Sequence, residues 1–261
     1  MSESGRPAVF VHLLPTLIPA GAFRGATVVV VDVLRATTVM VHALAAGCKA
    51  IIPCGEVEEA RAIAAGLPDG SALLAGERQG LPIAGFDLGN SPGAYTPEVC
   101  RGKTLVMTTT NGTRAILASL EADHVFVAAF PNLLATAHAV NEDPREVHVV
   151  CSGTDGWISL EDAILAGALA CDVAITRRPE TLNRAFGNDE AEIVSRLWGH
   201  VPLGADPTDT DLADTLALGR GGRRVREIGL AADIHDASRI DRFPLVAELR
   251  RDPLRVVRNG D

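Results

Sequence analysis

The sequence predicts an α/β fold, a three-layer α/β/α arrangement of internally repeated strand–helix units around a mixed or largely parallel sheet. Three observations carry this. Hydrophobic residues make up 47% of the 261 residues but aromatics only 4%, so the core is aliphatic, as in alternating strands and helices rather than an aromatic-rich sandwich. Short apolar runs such as Val28 to Val31 alternate with Ala-rich stretches of helical length. Residues 28–65 overlay 103–140, strand on strand and helix on helix, at a shift of about 75 without a gap. The chain reads as one domain over 1–261, with 1–100 and 101–261 as candidate subdomains.

The elements follow in order. Ala8 to His12 is a short strand before a Pro-rich turn. Val28 to Val31 reads as a strand buried on both faces. The chain then breaks at Asp32, passes through Leu34-Arg35-Ala36-Thr37-Thr38 and becomes a helix ending at Gly47. Ala50 to Cys54 is a strand and Val57 to Ala65 a helix with acids in its first turn, broken by Gly66 to Gly70. Leu73-Leu74 leads into residues 76–93, whose five glycines and two prolines predict a long loop carrying Glu77, Arg78, Asp87 and Asn90. Lys103 to Met107 is a strand, Thr108 to Arg114 a junction, and a helix runs to Leu120. Then come the strand Val125 to Ala128, the helix Leu133 to Val140 and the strand Val147 to Cys151. Ser159 opens a helix to about Ala170, in which Ser159 and Asp162 fit a capping box. Residues 175–215 are polar and less regular, with a helix from Asp189 through Trp198 and an acidic stretch from Ala205 to Asp211. Leu218 to Arg224 reads as a basic Gly-rich turn that either binds an anion through backbone N–H groups and guanidinium forks or simply exposes its arginines, and the tail from Asp252 reads as charged and frayed.

The first junction places an acid, a base and two hydroxyls where a buried strand meets a helix N-terminus, the usual ligand position in open α/β sheets. Free N–H groups there suit an anion such as phosphate. Asp32 would then hold a cation, attack phosphorus or orient a base, or it simply caps the helix. The repeat sets Asp32 to Thr38 against Met107 to Thr113, so two junctions could face one site. The threonine run serves either anion binding or helix capping. Glu161 has no local capping duty and is a ligand or base candidate, or an exposed first-turn acid. Asp162 divides between cap and metal ligand. The acidic 205–211 stretch lacks EF-hand spacing and reads as a solvated loop.

The net charge of −9 argues against a nucleic-acid binder with a broad basic face. No signal-peptide pattern is present, and no apolar run reaches the roughly 18 residues of a membrane span. Five cysteines without a CxxC pair predict reduced, mostly buried thiols in a cytoplasmic protein. No partner chain is indicated, although a homo-oligomer is compatible.

Several chemistries fall away. Asp32 to Thr37 lacks the second acid of a DxDxT phosphatase loop, because Leu34 stands there. Cys171 and Arg177 match Cys-x5-Arg without a glycine to cradle phosphate. Gly89 to Gly93 matches GxSxG, but Pro92 has no N–H for an oxyanion hole. Gly102-Lys103-Thr104 precedes a strand instead of following one. Seven histidines are scattered without metal-ligand spacing. What remains is oxygen chemistry from Asp32, Glu77, Asp87, Glu161 and Asp162 with threonines and arginines, and hard carboxylate oxygens suit Mg²⁺.

Four separated blocks then resemble the 2-phosphosulfolactate phosphatase family: Val31 to Thr38; Gly76-Glu77-Arg78 with Gly85 to Pro92; Thr109 to Arg114; and Ser152-Gly153-Thr154 with Ser159 to Asp162 and Ala166-Gly167-Ala168. A looser match continues through Gly222-Arg223 and Asp233-Ile234, while Gln79 stands where a glycine is expected. The resemblance implies a Mg²⁺-dependent enzyme of a coenzyme M pathway that hydrolyses (2R)-phospho-3-sulfolactate to 3-sulfolactate and phosphate. On that resemblance Asp32, Glu161 and Asp162 would hold Mg²⁺, and Arg35 would clamp phosphoryl oxygens. Thr37, Asn90, Thr109, Thr110, Asn111 and Gly112 would contact substrate, Arg114 or Arg223 would take the sulfonate or carboxylate, and Glu77 would be a ligand or base. Another small phosphate ester on the same scaffold, or a non-enzymatic anion-binding module, are the competing readings.

Overall fold

The four valines and Thr27 form strand β2 (Thr27–Val31), and the alternation of its side chains sets the architecture: Val29 and Val31 enter one apolar core, Val28 and Val30 the other. The computed structural model describes residues 9–177, 179, 185–202 and 210–260. Among them the strands form one ten-stranded mixed sheet with helices on both faces, the expected three layers.

The repeat is present as β2–α1–β3–α2 and β6–α4–β7–α5. The first unit is β2, α1 (Ala36–Ala45), β3 (Ala50–Cys54) and α2 (Val57–Ala65). After β4 (Ala72–Arg78), β5 (Leu81–Pro82) and the short α3 (Pro97–Cys100), the second is β6 (Thr104–Thr108), α4 (Gly112–Ala118), β7 (His124–Ala128) and α5 (Leu133–Glu142). The two units exchange strands: β2 pairs in parallel with β7, and β3 in parallel with β6. Strands from either side of residue 100 therefore share each half of the sheet.

One parallel block comprises β1 (Val9–His12), β8 (Val147–Cys151), β2 and β7, and the other β3, β6 and β4. Between them lies the hairpin of β9 (Ala247–Arg251) and β10 (Leu254–Arg258), which is antiparallel to β7 on one side and to β3 on the other. Three antiparallel steps reverse the second block relative to the first, which alone would send the carboxyl ends of β2 and β6 to opposite rims. The two ends nonetheless meet, since Gly112 just after β6 lies against Asp32 and Ala36 just after β2.

The tail expected to fray is thus interior to the sheet. Arginines alternating with apolar residues read as solvated, yet Val256 is fully buried and Leu254 packs beside it. The Gly-rich turn is also corrected: α9 (Arg220–Glu227) is a helix, preceded by α8 (Thr210–Ala217) and followed by α10 (Ala232–Ser238). Glu77 and Arg78 end a strand rather than opening a loop. Of the acidic 205–211 stretch, residues 205–209 lie outside the described residues. All five cysteines are free thiols, four of them buried, and no helix among the described residues is long and apolar enough to cross a membrane.

The helix that carries Glu161 and Asp162 is α6 (Leu160–Arg177), longer than expected. At its far end Arg177 donates to the carbonyls of Val140, Asp143 and Arg145. Midway, α7 (Asp189–Trp198) crosses so closely that a Cβ on Gly167 would lie 2.1 Å from the Val194 carbonyl oxygen. Gly167→Ala should therefore destabilise the protein by about 2 kcal/mol or more in chemical denaturation, whereas Leu134→Ala, at an exposed position, should change stability by less than about 0.5 kcal/mol.

Candidate active site

The first junction is built by its own side chains. The Thr37 hydroxyl accepts from the Asp32 N–H and donates to the Asp32 carbonyl, both at 2.9 Å. Thr113 repeats this on Thr109, accepting at 3.1 Å and donating at 2.9 Å, so the two repeats share one turn design. Thr37 is fully buried with its hydroxyl engaged in this turn. The Thr109 hydroxyl in turn accepts from the Thr113 N–H at 3.1 Å, in the first turn of α4. Gly112, the first residue of α4, is pressed against the first junction: a Cβ there would lie 2.4 Å from the Ala36 Cβ and 2.7 Å from the Asp32 Oδ2.

A small cleft, open to solvent, lies where the junctions meet. Its lining includes Asp32, Arg35, Glu77, Asn90, Thr109, Thr110 and Asn111 among the expected residues. It also includes Gln79, Gly80, Thr154, Asp155, Gly221 and Arg224, which were not singled out as site residues. Arg114 and Arg223 do not line it. Both are exposed, and Arg223 donates to the Leu218 carbonyl. Asp87 accepts from the Leu74 N–H at 2.8 Å instead.

Asp32 both caps and faces the cleft. Its Oδ1 accepts from the Ala36 N–H at 3.1 Å, the first N–H of α1. Burial pushes its pKa up to about 7, and the charges of Glu77 and Glu161 push the same way; the Ala36 N–H and Arg35 only partly oppose them. Glu77 binds two loops through its two oxygens, accepting from Thr110 N–H at 2.8 Å and Gly80 N–H at 2.6 Å. Arg35 is buried and held by Asp233 at 2.7 Å, by the Ser91 hydroxyl at 3.2 Å and by the Gly80 carbonyl at 2.8 Å. Two buried polar atoms of the lining, Asn90 Oδ1 and Thr110 Oγ1, have no hydrogen-bond partner.

Glu161 and Asp162 stand behind the cleft. Asp162 is not part of a capping box, since its Oδ1 accepts from Val33 N–H at 2.8 Å and its Oδ2 from Gly153 N–H at 3.0 Å, while the Ser159 hydroxyl pairs with that of Thr154 at 2.6 Å. Burial and the charges of Asp32 and Glu161 hold its pKa well above the usual carboxylate range. Glu161 is 1% exposed, and no hydrogen bond of good geometry reaches either of its oxygens. Its own N–H, that of Gly221 and the Ser159 hydroxyl lie near enough to favour the charged form, but burial outweighs them and raises the pKa. Gly219 and Gly221 wrap it, and a Cβ on either would fall within 2.1 Å of a carboxylate oxygen.

Arg224 lies in the segment that the sequence offers as an anion-binding turn, but there the substrate contact falls on its neighbour Arg223. Gly221, Arg224 and Val225 of α9, with Ile228 at its C-cap, line the cleft, the i, i+3, i+4, i+7 face of a helix. Read as a turn, the segment offered no face. Read as a helix, the spacing selects Arg224 over Arg223.

Comparison with known proteins finds relatives over most of the chain. A family profile described as 2-phosphosulpholactate phosphatase matches residues 12–252. The probable 2-phosphosulfolactate phosphatase of Caldanaerobacter subterraneus subsp. tengcongensis is 36% identical over 228 residues, 87% of this chain and 89% of that protein. A relative of the same description from Symbiobacterium thermophilum is 37% identical over 216 residues, 83% of this chain and 88% of its own. Another, from Parasynechococcus marenigrum, is 43% identical over 191 residues, covering 73% and 77%.

The raised Asp32 pKa has a measurable sign. Its folded value, about 7 against an ordinary 3.8, makes the ionised folded chain less stable, by an amount that grows above about pH 4 and is complete above about pH 7. A shift of that size is worth at most on the order of 4 kcal/mol. In EDTA at pH 8, Asp32→Asn should melt several degrees above the wild type, at roughly 2–4 °C per kcal/mol, and the gap should close by pH 4.

Proposed function

The chain belongs to the 2-phosphosulpholactate phosphatase family and is a phosphoric monoester hydrolase, and we propose that it hydrolyses (2R)-phospho-3-sulfolactate to 3-sulfolactate and phosphate with Mg²⁺ as cofactor. The observation that carries this reading is the carboxylate cluster: Asp32 feels Glu77 and Glu161 through a buried site whose one ion-paired cation, Arg35, is matched by Asp233. The lining holds Asp32, Glu77 and Asp155 against Arg35 and Arg224. An ester carrying phosphate, carboxylate and sulfonate would be repelled from it without an added cation.

The donor set suits Mg²⁺. Among the described residues no three His, Cys, Asp or Glu side chains are grouped to hold a metal by themselves. Mg²⁺ is commonly held by one or two carboxylates, with waters and substrate phosphate completing an octahedron. Asp32 and Glu161 would be those two, Glu161 bringing two oxygens without hydrogen bonds. Asp162, with both oxygens on backbone N–H groups, would hold their loops in place. Bound there, Mg²⁺ would offset phosphoryl charge and lower the pKa of a coordinated water.

The chain's own groups do the rest. Arg35, fixed on three sides, presents its remaining N–H groups to phosphoryl oxygens. Thr110, Asn111 and Asn90 offer polar atoms around the phosphate, and Glu77 keeps the Gly80 and Thr110 backbones in position about it. Without a metal the Asp32 carboxyl has a pKa of about 7, so Mg²⁺ binding near neutral pH would displace its proton and leave it ionised. Whether it attacks phosphorus or orients water is open to trapping an acyl-phosphate.

Phosphate release from 2-phosphosulfolactate should require Mg²⁺, stop with EDTA and fall by at least about 100-fold in Asp32→Asn. Hydrolysis of other esters but not this one would keep the phosphatase and discard the substrate. Undiminished turnover in EDTA would remove the metal.

A further inference from the structure

We propose that a second pocket, walled by α1, the 92–97 segment and the end of α10, binds a zwitterionic α-amino acid with an apolar side chain, its ammonium on Asp236 and its carboxylate on Arg242. The pocket measures about 320 Å³ and shares no lining residue with the cleft, so its ligand is independent of the ester taken there. That volume is at the lower end for small-molecule sites and suits a ligand of amino-acid size. Ala45, Ala46, Pro92, Tyr95, Pro97 and Phe243 make most of the lining apolar. His42, 5% exposed, forms part of the wall, and its Nε2 is buried without a hydrogen-bond partner. Packed interiors seldom leave such an atom unpaired, and water or a ligand is the common partner.

The charges of the lining give the chemistry. Arg242 Nη1 lies 3.5 Å from Asp236 Oδ1, with both side chains partly exposed, well beyond the roughly 2.7–2.9 Å of a tight charge-assisted hydrogen bond. An exposed pair at this separation contributes little to stability, so each partner can pass to a ligand at small cost. The Arg242 guanidinium lies over the Phe243 ring, 5.1 Å from its centroid, which steadies it at the rim. Gly93 leaves Asp236 Oδ2 open, since a Cβ at 93 would come within 3.2 Å of it. Burial lowers the His42 pKa to about 4, so that ring is neutral near neutral pH. The lining therefore carries one positive and one negative charge, with no surplus for a lone anion or cation. An α-amino acid brings the opposite pair on a single carbon and meets both charges. Its side chain then covers the apolar wall.

The test is calorimetry of the intact protein with L-phenylalanine, with 2-phenylethylamine, which lacks the carboxylate, and with 3-phenylpropanoate, which lacks the ammonium. L-Phenylalanine should bind saturably with a Kd of about 1 mM or tighter, and each analogue at least tenfold more weakly. Arg242→Gln and Asp236→Asn should each weaken L-phenylalanine at least tenfold. In an NMR titration the His42 ring resonances should shift with the same midpoint. No saturable binding up to about 10 mM, equal affinity for either analogue or in either variant, or an unmoved His42 ring would overturn the proposal. Were a variant not to fold, the analogue series and the His42 shifts on the wild type would still decide it.

Discussion

The carboxylate of Asp162 joins two loops that the chain keeps far apart, accepting one N–H from Val33, 129 positions away, and one from Gly153. Through it the turn after β2 and the turn after β8 become one rigid body, and Asp32 and Glu161 are carried into electrostatic range of each other. The arrangement is not favourable by charge alone, because Asp32 and Glu161 repel Asp162 and burial disfavours its ionised form. Two backbone hydrogen bonds offset part of that, and α6 packs closely on α7 at Gly167. A buried charge of this kind is poor evidence of stability but good evidence of imposed geometry.

Much of the fold was legible because burial leaves a plain signature. Val28 to Val31, Ala50 to Cys54 and Val147 to Cys151 are continuous apolar runs, and the repeat at a shift of about 75 survives as two β–α–β–α units. The exchange of strands between these units was not legible, since pairing partners depend on long-range geometry that no local pattern encodes. Nor was the central hairpin. Leu254 and Val256 are too few apolar residues among arginines to announce a strand, and their burial comes from the neighbours β3 and β7 rather than from their own sequence.

The site shows the same division. Asp32, Glu77, Asn90 and Thr109 to Asn111 were found because each sits at the end of a recognisable strand or in a Gly-rich loop, and the cleft gathers them. Arg114 was chosen on charge and proximity in sequence, yet a helix turns about 100° per residue, and α4 presents that position to solvent. Asp233, the partner of Arg35, could not be paired from sequence across 198 positions. Only the helical spacing of Gly221, Arg224, Val225 and Ile228 was available and went unread, because the glycines argued for a turn. Those glycines have another cause: any side chain at 219 or 221 would strike Glu161.

The clustered acids raise the question of how such a cleft tolerates an anionic ligand. Burial raises the pKa values of Asp32, Glu161 and Asp162, and repulsion among the acids adds to it at Asp32 and Asp162, so the site disfavours their ionised forms unless a proton or a cation is at hand. A polyanionic ester worsens that balance, whereas a divalent cation relieves it. On the proposed reading, cation and ester therefore bind with positive coupling, each lowering the electrostatic cost of the other. The same balance explains why Arg35 is surrounded by fixed acceptors: an arginine left free here would collapse onto Asp32 and Glu77 and neutralise the cluster without any ligand. Asp233, Ser91 and Gly80 hold it back, and the acids keep the unmet charge that makes ligand binding selective.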